Sequence, residues 1–206
     1  MDQLQMTPLA CSAGKCLMIK KRDFNEGAQK ELYELMIHPE VQSYVRHHVE
    51  NFNAFLRLNE QLIQEELIGE TISRIIHDEK DAVIGTISLY DINNNIGFLA
   101  TWLGKPYQGK GYNQPAKRQF LMELFTETSI NTILMCVRKT NEQSQRAIRK
   151  LPYVIEGQKK SWELFRQVNA HPDDYILYEI PKDLFIQQLR SHYLLASQKK
   201  YPFVLS

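Results

Sequence analysis

The sequence predicts an α/β protein with one mixed, mostly antiparallel sheet and helices on both faces. Two observations carry this. Alternating runs rich in β-branched residues lie between Glu70 and Leu103, separated by short polar turns. After them comes a strand–loop–helix–strand order ending in Thr132–Val137, which requires a crossover and hence parallel neighbours. At 206 residues the chain suits one domain with an appendage. A domain of this size buries roughly 70% of its unfolded surface, enough for a core without disulfides.

Residues 1–14 read as a loose lead-in, with Pro8, Gly14 and small polar residues. Lys15–Lys20 reads as a first strand. Asp23 is placed to cap a helix running to about Ile37, with Ala28, Leu32, Leu35 and Met36 on one stripe. Pro39 ends it, and a short helix follows through Val41, Tyr44 and Val45. Asn53 is expected to cap a longer helix with Phe55, Leu58, Leu62, Ile63 and Leu67 inward and Glu60, Glu65 and Glu66 in solvent. Glu70–His77, Val83–Tyr90 and Ile96–Leu103 follow as strands, with turns at 78–81 and 91–95. Ala116, Phe120, Leu121, Leu124 and Phe125 form the stripe of the next helix. Thr132–Val137 is a continuous apolar strand, covered on both faces. Asn141 opens a short helix whose stripe is Ser144, Ala147, Ile148 and Leu151. Tyr153–Glu156 and Tyr175–Ile180 are late strands, 158–173 is loop-like, and Pro181–Lys199 is a terminal helix. Residues 15–180 form the domain and 181–206 an extension that packs on it or on a second subunit.

Net charge is +1, which carries no signature of nucleic acid or membrane binding. Cys11, Cys16 and Cys136 are scattered, without metal-ligand or disulfide spacing. No metal is implied, and a reducing, cytoplasmic setting is expected. No apolar run approaches ~20 residues. His77, His171 and His192 are expected at the surface.

The chemistry concentrates in Pro106–Lys117, a glycine-bearing loop between a strand and a helix. Such a junction turns backbone N–H groups and the positive end of a helix dipole toward one point, which suits a phosphate. Gly109 and Gly111 permit positive φ and close approach. Pro115 fits a first helical turn, where its missing N–H costs nothing.

The run IGFLATWLGKPYQGKGYNQPAK, followed by RKTNEQSQRAIRKLPYVIEG, resembles the GNAT acyl-CoA-dependent N-acetyltransferases, and within them the RimJ/RimL-type branch that acetylates ribosomal-protein N-termini. The resemblance covers about residues 15–180. It implies a GNAT fold, with the parallel strand pair splayed at the cofactor site. It implies acetyl-CoA as donor and an amine, on a protein N-terminus or a small molecule, as acceptor. Gln108, Gly111 and Asn113 stand at the loop's motif positions. Backbone groups of Gly109, Lys110, Gly111, Tyr112 and Asn113 would hold the pyrophosphate. Lys110 adds charge there or is simply solvated. Backbone near Trp102, Leu103 and Lys105 would run beside the pantetheine arm. Asn141 would cap its helix and, by the resemblance, also contact the cofactor arm, or is a plain N-cap. Ser144 stands as the acid for the departing thiolate, or bonds back to a carbonyl one turn earlier. Glu163 is the base by position, or a solvent-facing carboxylate. The Tyr that many members use as general acid, seven residues after the Asn, is here Ile148. Tyr33, Tyr44, Phe52 and Trp162 are acceptor-wall or core aromatics. His38, His47 and His48 fall in the acceptor-side helices. A homodimer through the terminal helix is expected. A non-catalytic acyl-CoA-binding module and an interaction protein on the same scaffold remain the alternatives.

Overall fold

A computed structural model describes residues 17–43, 45–169 and 171–200. The lead-in, Lys15, Cys16 and Tyr44 lie outside the described residues, as do the side chains of 143, 168 and 192–200, and with them the expectations for His192, Tyr193 and Leu194. In chain order the elements are β1 (Leu17–Lys21), α1 (Glu26–Met36), α2 (Pro39–Gln42), α3 (Phe52–Leu67), β2 (Ile72–Asp78), β3 (Val83–Asn93), β4 (Ile96–Leu103), α4 (Asn113–Glu127), β5 (Thr132–Arg138), α5 (Glu142–Arg149), β6 (Ile155–Glu156), α6 (Lys159–Val168), β7 (Tyr175–Pro181) and α7 (Lys182–Lys200). The strands form one sheet in the order β1-β2-β3-β4-β5-β7-β6. β1–β2, β5–β7 and β6–β7 are antiparallel, and β4–β5 is parallel. The mixed sheet read from the sequence is therefore present.

The chain divides into two compact units. The first runs to Ser88 and includes Thr101–Glu123; the second comprises Leu89–Ala100 and the chain from Leu124 onward. In the first, Leu32, Met36, Val41, Phe55 and Ile75 form the core, with Tyr33, Phe52 and Trp102 packed against it. Beside this core runs a polar network. Arg22 donates to Ser73 Oγ at 2.6 Å and to Asn59 Oδ1 at 3.0 Å, and Ser73 and Ser88 share a 2.7 Å bond. Every buried group in it has a partner, the condition for polar burial at small cost.

Several sequence expectations need correction here. The cap of α1 is Asn25, whose side chain accepts from Ala28 N–H at 3.0 Å. Asp23 instead lends its carbonyl to Gln29 Nε2 and Asn59 Nδ2. α3 is capped by Asn51 through Ala54 N–H, two residues earlier than expected. Leu67, expected inward, is 75% exposed, while Glu66 turns toward buried Arg74. An ion partner for a buried guanidinium outweighs one more leucine in the core. Pro39 sits in the first turn of α2, and Val45 and His47 lie beyond that helix. His77 is buried, its Nδ1 3.1 Å from the Asp81 carbonyl oxygen.

In the second unit, β3 runs on to Asn93, and the hairpin turns on Asn94 and Asn95, both at positive φ. This is the Asn-rich two-residue turn that matches strand twist. β5 pairs with β7 along its full length, but with β4 only at Ile96, Gly97 and Phe98. The parallel pair thus ends after three positions. α6 is the largest departure, a helix where a loop was expected. Gln158 has no side-chain cap bond; its N–H instead donates to Glu179 of β7. That carboxylate is buried at the helix N-terminus, where negative charge is favoured. Phe165 of α6 packs on Phe98, Leu134 and Leu177. β6 is two residues long, and Pro181 belongs to β7 rather than to the terminal helix. Among the described residues no helix is long and apolar enough to cross a membrane.

Candidate functional site

In the first unit β4 ends against Gly85, where an added Cβ would stand 2.2 Å from the Trp102 carbonyl oxygen. This close approach pins the backbone at Trp102 and Leu103. Gly104 N–H donates to the Ile84 carbonyl at 2.9 Å, and a 3-10 turn over Lys105–Tyr107 follows. Lys105 pairs with Glu40, and that hydrogen bond holds the Glu40 carboxyl below its ordinary value. His38, read as acceptor-side, accepts from Glu40 N–H at 3.3 Å and so caps α2.

Gln108 closes the turn, its Nε2 donating to the Leu103 carbonyl at 3.0 Å. The loop is thereby tied to the end of β4. Gly109 and Gly111 have φ of 70° and 87°, and a Cβ at either would meet nothing within 4 Å. Open space over a left-handed backbone is room for a ligand at the amides. Lys110 Nζ lies 6.0 Å from the Tyr107 ring. Tyr112 is buried, edge-on to Tyr107, with its hydroxyl 3.3 Å from Glu79. Burial first, and the Glu79 carboxylate second, raise the phenol's pKa. The first helical bond of α4 runs from Ala116 N–H to the Tyr112 carbonyl. The N–H groups of Asn113 and Gln114 therefore precede the helical ladder, and Pro115 has none.

In the second unit Asn141 caps α5, its Oδ1 accepting from Ser144 N–H at 3.0 Å. Its amide Nδ2 has no partner among the described residues. Capping thus occupies the side-chain oxygen and leaves the amide nitrogen available. Gln145, which the sequence reading passed over, is buried and donates to the carbonyls of Arg138 and Lys139 at 3.3 and 2.7 Å. It fastens the helix start to the end of β5. The buried face of α5 is Gln145 and Ile148; Ala147 is exposed and Ser144 half-buried. The Ser144 hydroxyl bonds no carbonyl among the described residues. Glu163 stands exposed on α6. The loop residues 102–113 thus lie in the first unit, and Asn141, Ser144 and Glu163 in the second. Tyr33 and Phe52 pack in the first core, 5.3 Å apart, and Trp162 packs beside Phe165. α6 could have been found from the spacing of Trp162, Phe165 and Val168; nothing local signals Glu179 as its cap.

The architecture is thus a mixed sheet whose parallel pair stops after three positions, with a β–loop–α junction bearing two positive-φ glycines ahead of α4. Residues 22–154 match the acetyltransferase (GNAT) domain, and the chain belongs to that family, whose donor is acetyl-CoA. It is similar to the putative ribosomal N-acetyltransferase YdaF of Bacillus subtilis (strain 168), 25% identical over 103 residues. That match covers 49% of this chain and only 55% of the relative's own length. The fold is shared with the spermidine N-acetyltransferase of Vibrio cholerae solved with CoA and spermine. There the TM-score is 0.65 at 16% identity, over 82% of this chain and 98% of that one. It is shared equally with RimL, a ribosomal L7/L12 alpha-N-protein acetyltransferase, with TM-score 0.65 at 17% identity over 80% and 90% of the two chains.

Proposed function

We propose that this protein is an acetyl-CoA-dependent N-acetyltransferase that moves the acetyl group to a primary amine by direct attack. The observation that carries this is the Gln108–Asn113 turn, with open space over two left-handed glycines at the start of α4. In this reading the N–H groups of Gly109, Lys110, Gly111, Tyr112 and Asn113 hold the pyrophosphate, with Lys110 supplying charge. Gln108 holds the loop to the strand whose backbone at Trp102 and Leu103, continued to Lys105, lies beside the pantetheine arm. Asn141 and Ser144 take the thioester end. The amine nitrogen attacks the thioester carbonyl, a C–N bond forms and the C–S bond breaks. The amine's proton goes to a base, for which Glu163 stands, the departing thiolate takes the Ser144 proton, and Glu163 gives its proton through solvent to restore the Ser144 hydroxyl. Ile148 is buried and apolar where many relatives place a Tyr, so positioning and carbonyl polarisation supply most of the rate.

Thiol release from acetyl-CoA with a panel of amines tests the activity, alongside calorimetric titration with coenzyme A. Gly111→Ala tests the loop. Space exists for the methyl, but a non-glycine residue at positive φ costs roughly 1–2 kcal/mol, so the loop shifts. Coenzyme A affinity should fall about tenfold, the equivalent of ~1.4 kcal/mol, with the melting temperature moving only a few degrees. Unchanged affinity would remove the loop from the site. Tight binding without turnover of any amine would favour the non-catalytic binding module, and no binding at all the interaction protein.

A further inference from the structure

The second unit carries a cavity of about 420 Å³ to which the steps above assign no role. That volume falls within the ligand-pocket range of about 300–1,000 Å³. Its apolar floor is Trp162 of α6 and Tyr175 of β7, both half-buried. Its rim is charged and unbalanced: Lys139, Lys159 and Arg166 against the single acid Asp173. None of the three cations has a carboxylate partner among the described residues. The Arg166 guanidinium lies 5.7 Å from the Trp162 ring centre, and its planar fork suits bidentate pairing with a carboxylate.

The cavity is fastened to the proposed thioester end. Lys139 stands two residues before Asn141. Its N–H donates to the Asp174 carbonyl at 2.8 Å, and its carbonyl accepts from Gln145 of α5 at 2.7 Å. One wall of the cavity and the start of α5 are thus built from the same short stretch of chain. The geometry points to this cavity as the acceptor pocket, and to an acceptor that carries a carboxylate close to its reactive amine. This inference rests on the acetyltransferase reading above. A polycationic amine would meet three like charges there, whereas an acidic side chain near an α-amine would meet a guanidinium fork and two ammonium groups.

The full chain should be assayed with peptide amides bearing a free N-terminus, Ser-Asp-Glu-Ala and Ser-Lys-Lys-Ala, and with free glutamate and spermidine. The acidic peptide should exceed the basic one roughly tenfold in kcat/KM at low ionic strength, and the gap should narrow with salt. Preference for the acidic peptide places the carboxylate on a protein terminus; preference for glutamate places it on a small molecule. Either supports the pocket. Equal rates, or preference for spermidine or the basic peptide, overturns it. Lys139→Glu with Lys159→Glu should invert the order, with the melting temperature and coenzyme A titration as controls of folding. A second reading is independent of turnover. Titration with the acidic peptide should change tryptophan fluorescence, and Trp162→Phe should abolish the change. If no amine is acetylated, the transfer reading fails, while this titration still decides whether the cavity takes a carboxylate.

Discussion

Arg74→Ala is expected to lower the unfolding free energy by about 3–5 kcal/mol, the cost of leaving buried charges without their partner. Arg74 of β2 is 5% exposed. Its NH1 donates to both oxygens of Glu66, at 2.8 and 2.9 Å, and to the Ser73 carbonyl at 2.7 Å. Its Nε reaches Glu123 at 2.7 Å and its NH2 the same oxygen at 2.5 Å. Burial disfavours the guanidinium most, and the hydrogen bonds to Glu123 and Glu66 more than offset it, so its pKa is raised. The one side chain joins β2 to α3 and α4. Its loss strands two carboxylates whose side chains are 22% and 19% exposed. Chemical denaturation of the variant, followed by circular dichroism, measures the effect. The triple variant Arg74→Met, Glu66→Gln, Glu123→Gln should recover much of the loss, because the charges leave together. A loss below 1 kcal/mol for Arg74→Ala would show that the network is solvated and carries little.

The second large effect concerns the acceptor. At pH 7 an α-amine with pKa near ~7.7 is neutral ~500 times more often than a lysine side chain near ~10.4, a difference of ~3.7 kcal/mol. A site with a strong buried base would erase part of that gap. Here Ile148 is buried and apolar, and Glu163 stands in solvent. We therefore predict α-amine acetylation at least 100-fold faster than lysine acetylation at pH 7, within the ~500-fold limit of amine ionisation. With a free N-terminus kcat/KM should rise tenfold per pH unit below about pH 7.7 and then level; with an N-blocked lysine peptide it should keep rising to about pH 10. Comparable rates at pH 7 would mean that a base has been overlooked.

The regions that were legible share one property, that local chain determines them. The hairpin strands, the apolar run of β5, the glycine loop and the cap at Asn141 depend on residues within a few positions of one another. Backbone sterics and periodicity suffice there. The helix caps were misplaced by two residues because two cap-competent residues stand near each start, Asp23 and Asn25 before α1 and Asn51 and Asn53 at α3, and composition does not choose between them. The Asp23 side chain accepts instead from the Asn25 N–H at 3.0 Å, ahead of the helix, while its carbonyl anchors Gln29 and Asn59.

Within the sequence alone lay the mixed sheet, the crossover and the loop that marks the chain as a GNAT acetyltransferase. Tertiary structure decided the rest. The exposure of Leu67 against the turn-in of Glu66 was settled by Arg74, on another strand. The existence of α6 was settled by Glu179, 21 residues from the N–H it caps. The cationic cavity assembles from the end of β5, α6 and the start of β7. Each depends on partners distant in sequence, and a buried charge or an uncapped helix end takes its partner wherever the fold supplies one.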